Sequence, residues 1–211
     1  MNRVEIVAVG ASLGGLAAIE TLLKGLPASF RCPLVIVQHR RAGEDGRLRD
    51  LLQRHSSAPV IEPEDKEPLL PGRVYLAPAG YHLLVEPRSV ALSLDAPVIF
   101  ARPSIDVLFE SVADAFGPGG MAVMLTGANE DGAAGAVAVK RAGGRVYVQD
   151  PATAESPAAP RAVLSSVKAD GVLDLPALAR LIAQVVKNEA GSGGDRTPEE
   201  LDRTPPVIRR A

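Results

Sequence analysis

Three side chains in this sequence have the types that nucleophilic acyl transfer needs, and each stands where a strand is expected to end. Ser12 follows an apolar run at 4–9, His39 follows residues 34–38, and Asp131 lies in the turn after residues 121–126, with Glu130 as a rival carboxylate beside it. Ser12 sits in Gly10-Ala11-Ser12-Leu13-Gly14, a G-x-S-x-G pattern whose glycines permit a tight strand-to-helix turn that presents a hydroxyl beyond a sheet edge. A serine hydroxyl is a weak nucleophile at neutral pH and needs a base. His39 would take its proton and pass it to the leaving group, while the carboxylate fixes the imidazole tautomer and stabilises the imidazolium. Unpaired backbone N–H groups at the start of the following helix, near Leu13 and Gly14, together with Ala128 in the Asp131 turn, are the candidate lining of an oxyanion site.

For those residues to meet, the strands must be neighbours. Runs rich in Val and Ile at 4–9, 34–38, 59–61, 121–126, 145–149 and 172–175 alternate with helical patterns at 16–24, 47–54, 104–116, 132–142, 161–166 and 176–187. That rhythm predicts an α/β fold: a doubly wound, mostly parallel sheet flanked by helices. Three closely spaced β-type runs at 73–77, 83–86 and 90–94 predict a small antiparallel β insertion. Ligands of open α/β sheets bind beyond the C-terminal strand ends where the chain order reverses. With the first strand between the second and the 121–126 strand, at spacings of about 4.8 Å, Ser12, His39 and Asp131 can converge.

Composition narrows the classes. The chain has 211 residues, 23 Lys+Arg against 25 Asp+Glu and a formal charge of -2, with no basic stretch interleaved with aromatics, so nucleic acid is not an expected partner. Arg40-Arg41 and Arg209-Arg210 read as solvated surface charge. The single cysteine, Cys32, cannot form an internal disulfide and reads as a packed side chain of a protein in a reducing compartment. No apolar run is long enough to span a bilayer, and residues 1–3 lead straight into a strand, so cytoplasmic localisation without membrane insertion is expected. Residues 1–187 read as one catalytic domain and 188–211, rich in Gly, Ser, Pro and charge, as a flexible tail. No spacing of His, Cys, Asp and Glu predicts a metal site; Asp106 and Glu110, four apart on a helix, read as solvated surface.

Five motifs in order give the chain a family resemblance: GASLGG at 10–15, VIVQH at 35–39, PGRVYLAP at 71–78, RPSIDVLF at 102–109 and LTG-x-x-x-DG at 125–132. The sequence resembles the catalytic domain of the chemotaxis protein-glutamate methylesterase family (CheB) over about 4–187. The resemblance implies that Ser12, His39 and Asp131, rather than Glu130, match the family's triad. It implies hydrolysis of glutamate γ-methyl esters on the cytoplasmic helices of methylated chemoreceptors, deamidation of particular receptor glutamines, and no cofactor. His82, in APAGYHL, matches a family position near the site. The chain departs from the family at Leu13, usually threonine, at Ala128-Asn129, usually Met-Gly, and at Ala158-Ala159-Pro160, usually Gly-Met-Pro. Backbone donors survive such changes, and Asn129 can take the left-handed conformation a glycine would allow. Family members commonly carry an N-terminal receiver domain; here the first strand begins almost at Met1, so a stand-alone esterase is expected, always open or governed by a separate phosphorylated regulator.

Two other functions use the same residues. A catalytically weak member of the family could serve as a binding module in a signalling array. A dinucleotide-binding domain could use the glycine turn for phosphate and Arg40 for a 2′-phosphate, but Ser12 replaces the close-approach glycine of G-x-G-x-x-G and no acidic residue ends the second strand.

Overall fold

Alternating β-branched and small apolar residues build a sheet that needs cover on both faces, and the chain provides it. The computed structural model describes residues 3–41, 43 and 47–187; the expected tail at 188–211, with Arg209 and Arg210, lies outside them. In chain order the strands are β1 (Ile6–Ala11), β2 (Leu34–Gln38), β3 (Val60–Ile61), β4 (Val74–Leu76), β5 (His82–Val85), β6 (Val90–Ser93), β7 (Gly120–Met124), β8 (Arg145–Gln149) and β9 (Gly171–Leu173). The helices are α1 (Gly15–Lys24), α2 (Arg47–Gln53), α3 (Ile105–Phe116), α4 (Ala133–Arg141), α5 (Ala158–Ser166) and α6 (Leu175–Lys187).

Seven strands pair in the order β3-β4-β2-β1-β7-β8-β9, all parallel. The central strand β1 is buried along its whole length and feeds two cores by simple alternation. Val7, Val9 and Ala11 pack with Ile19, Leu22 and Leu23 of α1 and with Leu178 and Ile182 of α6, while Ile6 and Ala8 face Leu108, Phe109 and Val112 of α3 and Ala136 and Val139 of α4. Because β1 lies between β2 and β7, with Ala11 opposite Gln38 and Gly10 opposite Met124, the loops after these three strands share one rim of the sheet.

The antiparallel element is smaller than the sequence suggests. Only β5 and β6 form the antiparallel pair, packed over α3. Residues 73–77, expected in that insertion, instead place β4 in the main sheet, parallel to both β3 and β2. The reason is burial: Val74, Tyr75 and Leu76 are all fully enclosed, which an interior parallel strand requires and a peripheral hairpin does not.

Candidate active site

Ser12 leaves β1 with its N–H donating to Thr126 O (2.9 Å), and its own carbonyl accepts from Gly15 N (2.8 Å) as α1 begins. Gly14 holds this corner with φ 77°, a left-handed conformation that a side chain disfavours, and a Cβ there would meet Glu155 at 2.6 Å. On the other side Gly127 lets the β7 loop close in, since a Cβ there would lie 2.9 Å from that of Ala159 and 3.1 Å from that of Ser12. Gln38, at the end of β2, donates its amide to Ser12 O (2.9 Å) and His39 O (3.1 Å), tying the two loops together.

The three residues anticipated at the rim meet. His39 Nδ1 is 3.1 Å from Ser12 Oγ, and His39 Nε2 is 2.6 Å from Asp131 Oδ2. An ionised carboxylate only accepts, so the neutral imidazole carries its proton on Nε2 and turns the Nδ1 lone pair toward the serine hydroxyl. Ser12 is half-buried and the His39 side chain is 14% exposed, whereas Asp131 is fully buried. The site is therefore open at the serine and sealed at the carboxylate.

Asp131 rests on the N-terminus of α3. Its Oδ1 accepts from Ser104 Oγ (2.8 Å) and Asp106 N (2.9 Å), and its Oδ2 accepts from Ile105 N (2.7 Å) in addition to His39. Burial alone would push this carboxyl up, but the bonds from His39, from the Asp106 and Ile105 N–H groups and from Ser104 outweigh it and hold it below the usual carboxylate range. Ser104 also caps α3 through Val107 N. Asp131 thus caps not the helix that follows it but α3.

Asp106 is a correction to the sequence reading. It is 5% exposed rather than solvated, and its Oδ1 accepts from Gly132 N (2.9 Å) and Gly135 N (2.7 Å) at the start of α4. Burial, with added repulsion from Asp131 and Glu110, raises it to about 6 despite those two bonds. Glu110 itself is exposed, and so is its counterpart Glu130. Arg40 is a second correction: its side chain is only 2% exposed and pairs with Glu62, which removes it from the pool of solvated charges and as a partner for a 2′-phosphate. Asn129 is a third, because it is not among the left-handed residues; its Oδ1 instead accepts from Asp131 N (3.3 Å).

Thr126 and Gln149 are positioning residues that carried no sequence signal beyond their polarity. Thr126 donates its hydroxyl to Leu13 O (2.8 Å), accepts from Ser156 N (2.9 Å), and gives its own N–H to Gln149 Oε1 (2.9 Å). The buried His82 receives Ser104 N on Nδ1 (3.2 Å) and so donates from Nε2 to Ala96 O (3.1 Å), which makes it a brace for the α3 N-terminus.

Two clefts meet at His39 and Arg41. One, of 720 Å³, contains Ser12, Leu13, Gly14, Glu20 and Glu155; the other, of 1240 Å³, is bordered by Phe100, Arg102, Ala128, Asn129, Glu130 and Arg161. Among the described residues no group of three or more His, Cys, Asp or Glu side chains is placed to hold a metal ion, and no helix is long and apolar enough to cross a membrane.

Comparison with known proteins gives this geometry a family. A putative protein-glutamate methylesterase/protein-glutamine glutaminase of Leptospira interrogans is 41% identical over 185 residues, spanning 87% of this chain and 96% of the relative. The protein-glutamate methylesterase/protein-glutamine glutaminase 4 of Myxococcus xanthus is 43% identical over 194 residues, 92% of this chain but 54% of that longer protein. The crystal structure of the Thermotoga maritima CheB methylesterase catalytic domain superposes with a TM-score of 0.83 at 31% identity, covering 88% of this chain and all of that one. The family model for CheB methylesterase matches residues 7–182, and the chain belongs to the CheB methylesterase family.

Proposed function

We propose that the protein is a serine hydrolase that removes γ-methyl esters from glutamates on chemoreceptor cytoplasmic helices. The observation that carries this reading is the continuous path from the half-buried Ser12 hydroxyl through His39 to a buried, ionised Asp131, opening into a cleft in a chain of this family. Ser12 Oγ attacks the ester carbonyl as His39 Nδ1 takes its proton; the tetrahedral intermediate collapses, the methoxide leaves with that proton as methanol, and a γ-glutamyl ester remains on Ser12. A water deprotonated by His39 then releases the glutamate. A glutamine side chain would follow the same course with ammonia as the leaving group. Acyl transfer of this kind needs no cofactor.

Within the rim, the N–H of Ser12 is engaged by Thr126 O and that of Gly127 by Ser156 O. The next N–H groups along the chain, those of Leu13 and Ala128, are therefore the proposed oxyanion donors, with Gly14 shaping the turn between them and α1. Backbone donors tolerate the leucine and alanine found where the family has other side chains.

Ser12→Ala is expected to lower methanol release from a methylated receptor fragment by about 10³-fold or more. A fluorophosphonate should label the parent protein at Ser12 and leave the variant unlabelled. Release that survives the substitution, or labelling at another residue, rejects Ser12 as nucleophile.

A further inference from the structure

The segment between β6 and α3 spends strain on displaying an aromatic ring. Val98 and Ala101 exchange both backbone hydrogen bonds (2.8 and 3.1 Å), closing a two-residue turn in which Ile99 has φ 46° and Phe100 φ 62°. Two successive left-handed residues make a type I′ turn, for which Asn-Gly is the favoured pair. A β-branched residue in that conformation is an outlier, and Phe100, fully exposed at the tip, gains no packing in return.

The base of the turn, by contrast, is held firmly. Arg102 Nη1 donates to Leu94 O (2.8 Å) and Asp95 O (3.0 Å), and His82 holds Ala96 O. Two residues after Arg102 comes Ser104, whose hydroxyl donates to Asp131. The ring is thus displayed by a segment braced against the same frame that holds the Ser12–His39–Asp131 chain, and it stands at the mouth of the larger cleft next to His39.

Across His39, the smaller cleft has its own exposed apolar side chains, Leu13 (55% exposed) and Leu16 (37%). Among the described residues, the larger cleft is bordered by the cations Arg102 and Arg161 and by the carboxylate of Glu130. Apolar contacts on both sides of His39, with cations along one of them, fit an elongated amphipathic ligand rather than a small ester. Resting on the hydrolase reading above, we infer that Phe100 is a pre-organised recognition finger that seats on the apolar face of an amphipathic substrate helix, fixing the glutamyl ester over Ser12 while neighbouring carboxylates of that helix meet the arginines.

Two variants test this: Phe100→Ser, and Ile99→Asn combined with Phe100→Gly, which supplies the favoured turn pair. The probe is a synthetic amphipathic helical peptide with one glutamate γ-methyl ester beside an alanine-leucine face and flanking glutamates. In a Ser12→Ala background, each variant should weaken binding of the probe about ten-fold, equivalent to about 1.4 kcal/mol. In the active protein the KM for methanol release should rise by a similar factor with a much smaller change in kcat, and the ratio of activity on the peptide to activity on p-nitrophenyl acetate should fall. The double variant should melt about 2–4 °C higher, showing that the loss is not misfolding. Binding and KM within two-fold of the parent in both variants overturn the inference, as does Phe100-dependent sedimentation with phosphatidylglycerol vesicles without any effect on the peptide. Methanol release with Phe100-independent binding sinks the finger alone; Phe100-dependent binding without methanol release sinks the hydrolase reading alone.

Discussion

Asp131 and Asp106 lie at the crossing of α3 and α4, each satisfying the N-terminus of the helix it does not precede or begin. Asp131, just before α4, caps α3; Asp106, in the first turn of α3, caps α4. Both are buried, yet one carboxyl is held low and the other rises to about 6. The difference lies in the donors. Asp131 collects two backbone N–H groups, the Ser104 hydroxyl and the His39 ring, whereas Asp106 has two N–H groups and the Asp131 charge as a neighbour. Burial by itself therefore does not set where a carboxyl titrates; the converging donors and neighbouring charges offset or add to it, and the one with more donors is the one beneath the histidine.

The comparison breaks most severely at Asp131. Asp131→Asn keeps the volume but removes the acceptor-only partner that places the His39 proton on Nε2, and kcat for methanol release should fall by about 10⁴-fold, as in well-studied triads. A change of less than ten-fold would mean that His39 needs no orienting charge.

Asp106 should respond in stability. Its carboxyl is more easily protonated in the folded chain than at its ordinary value of 3.8, so between about pH 4 and 6 the folded state binds the extra proton and stability falls as pH rises, by roughly 3 kcal/mol in all. Asp131 has the opposite sign: its contribution is present above its ordinary value and is lost as pH falls through its lower folded one. Asp106→Asn retains an oxygen for Gly132 N and Gly135 N while removing the charge. Urea unfolding of the variant should lose the pH 4–6 slope and show higher stability than the parent at pH 8; an unchanged slope would assign it to another group.

A smaller effect is expected at Ser104, which joins the two halves of the comparison. Ser104→Ala removes the α3 cap and one of Asp131's donors, and should cost about 1 kcal/mol of stability and up to about ten-fold in kcat. The loss in kcat should come with little change in KM, because what is disturbed is the carboxylate that orients His39 and not the cleft. A stability loss with no change in kcat would leave Ser104 a cap alone.

Much of the fold was legible because periodicity is a local property. The apolar runs of β1, β2, β7 and β8 announced themselves. β4 did not, since its three residues read equally well as an interior strand or as part of a hairpin, and only the burial of Tyr75 on both sides decides it. Ser12, His39 and Asp131 were found as strand-end polar residues. Gln38, Thr126 and Gln149 were not, because a buried amide or hydroxyl that bonds backbone has no spacing rule to betray it.

By itself the sequence determined the alternation of strands and helices, the serine, histidine and aspartate proposed as nucleophile, base and orienting carboxylate, and the family to which five ordered motifs belong. Only the tertiary structure decided which carboxyl is held low and which is raised, that Arg40 is sealed against Glu62, and that Ile99 and Phe100 are forced into a left-handed turn. Those properties depend on donors and charges brought together from segments far apart in the chain, and a linear pattern contains no record of the distances between them.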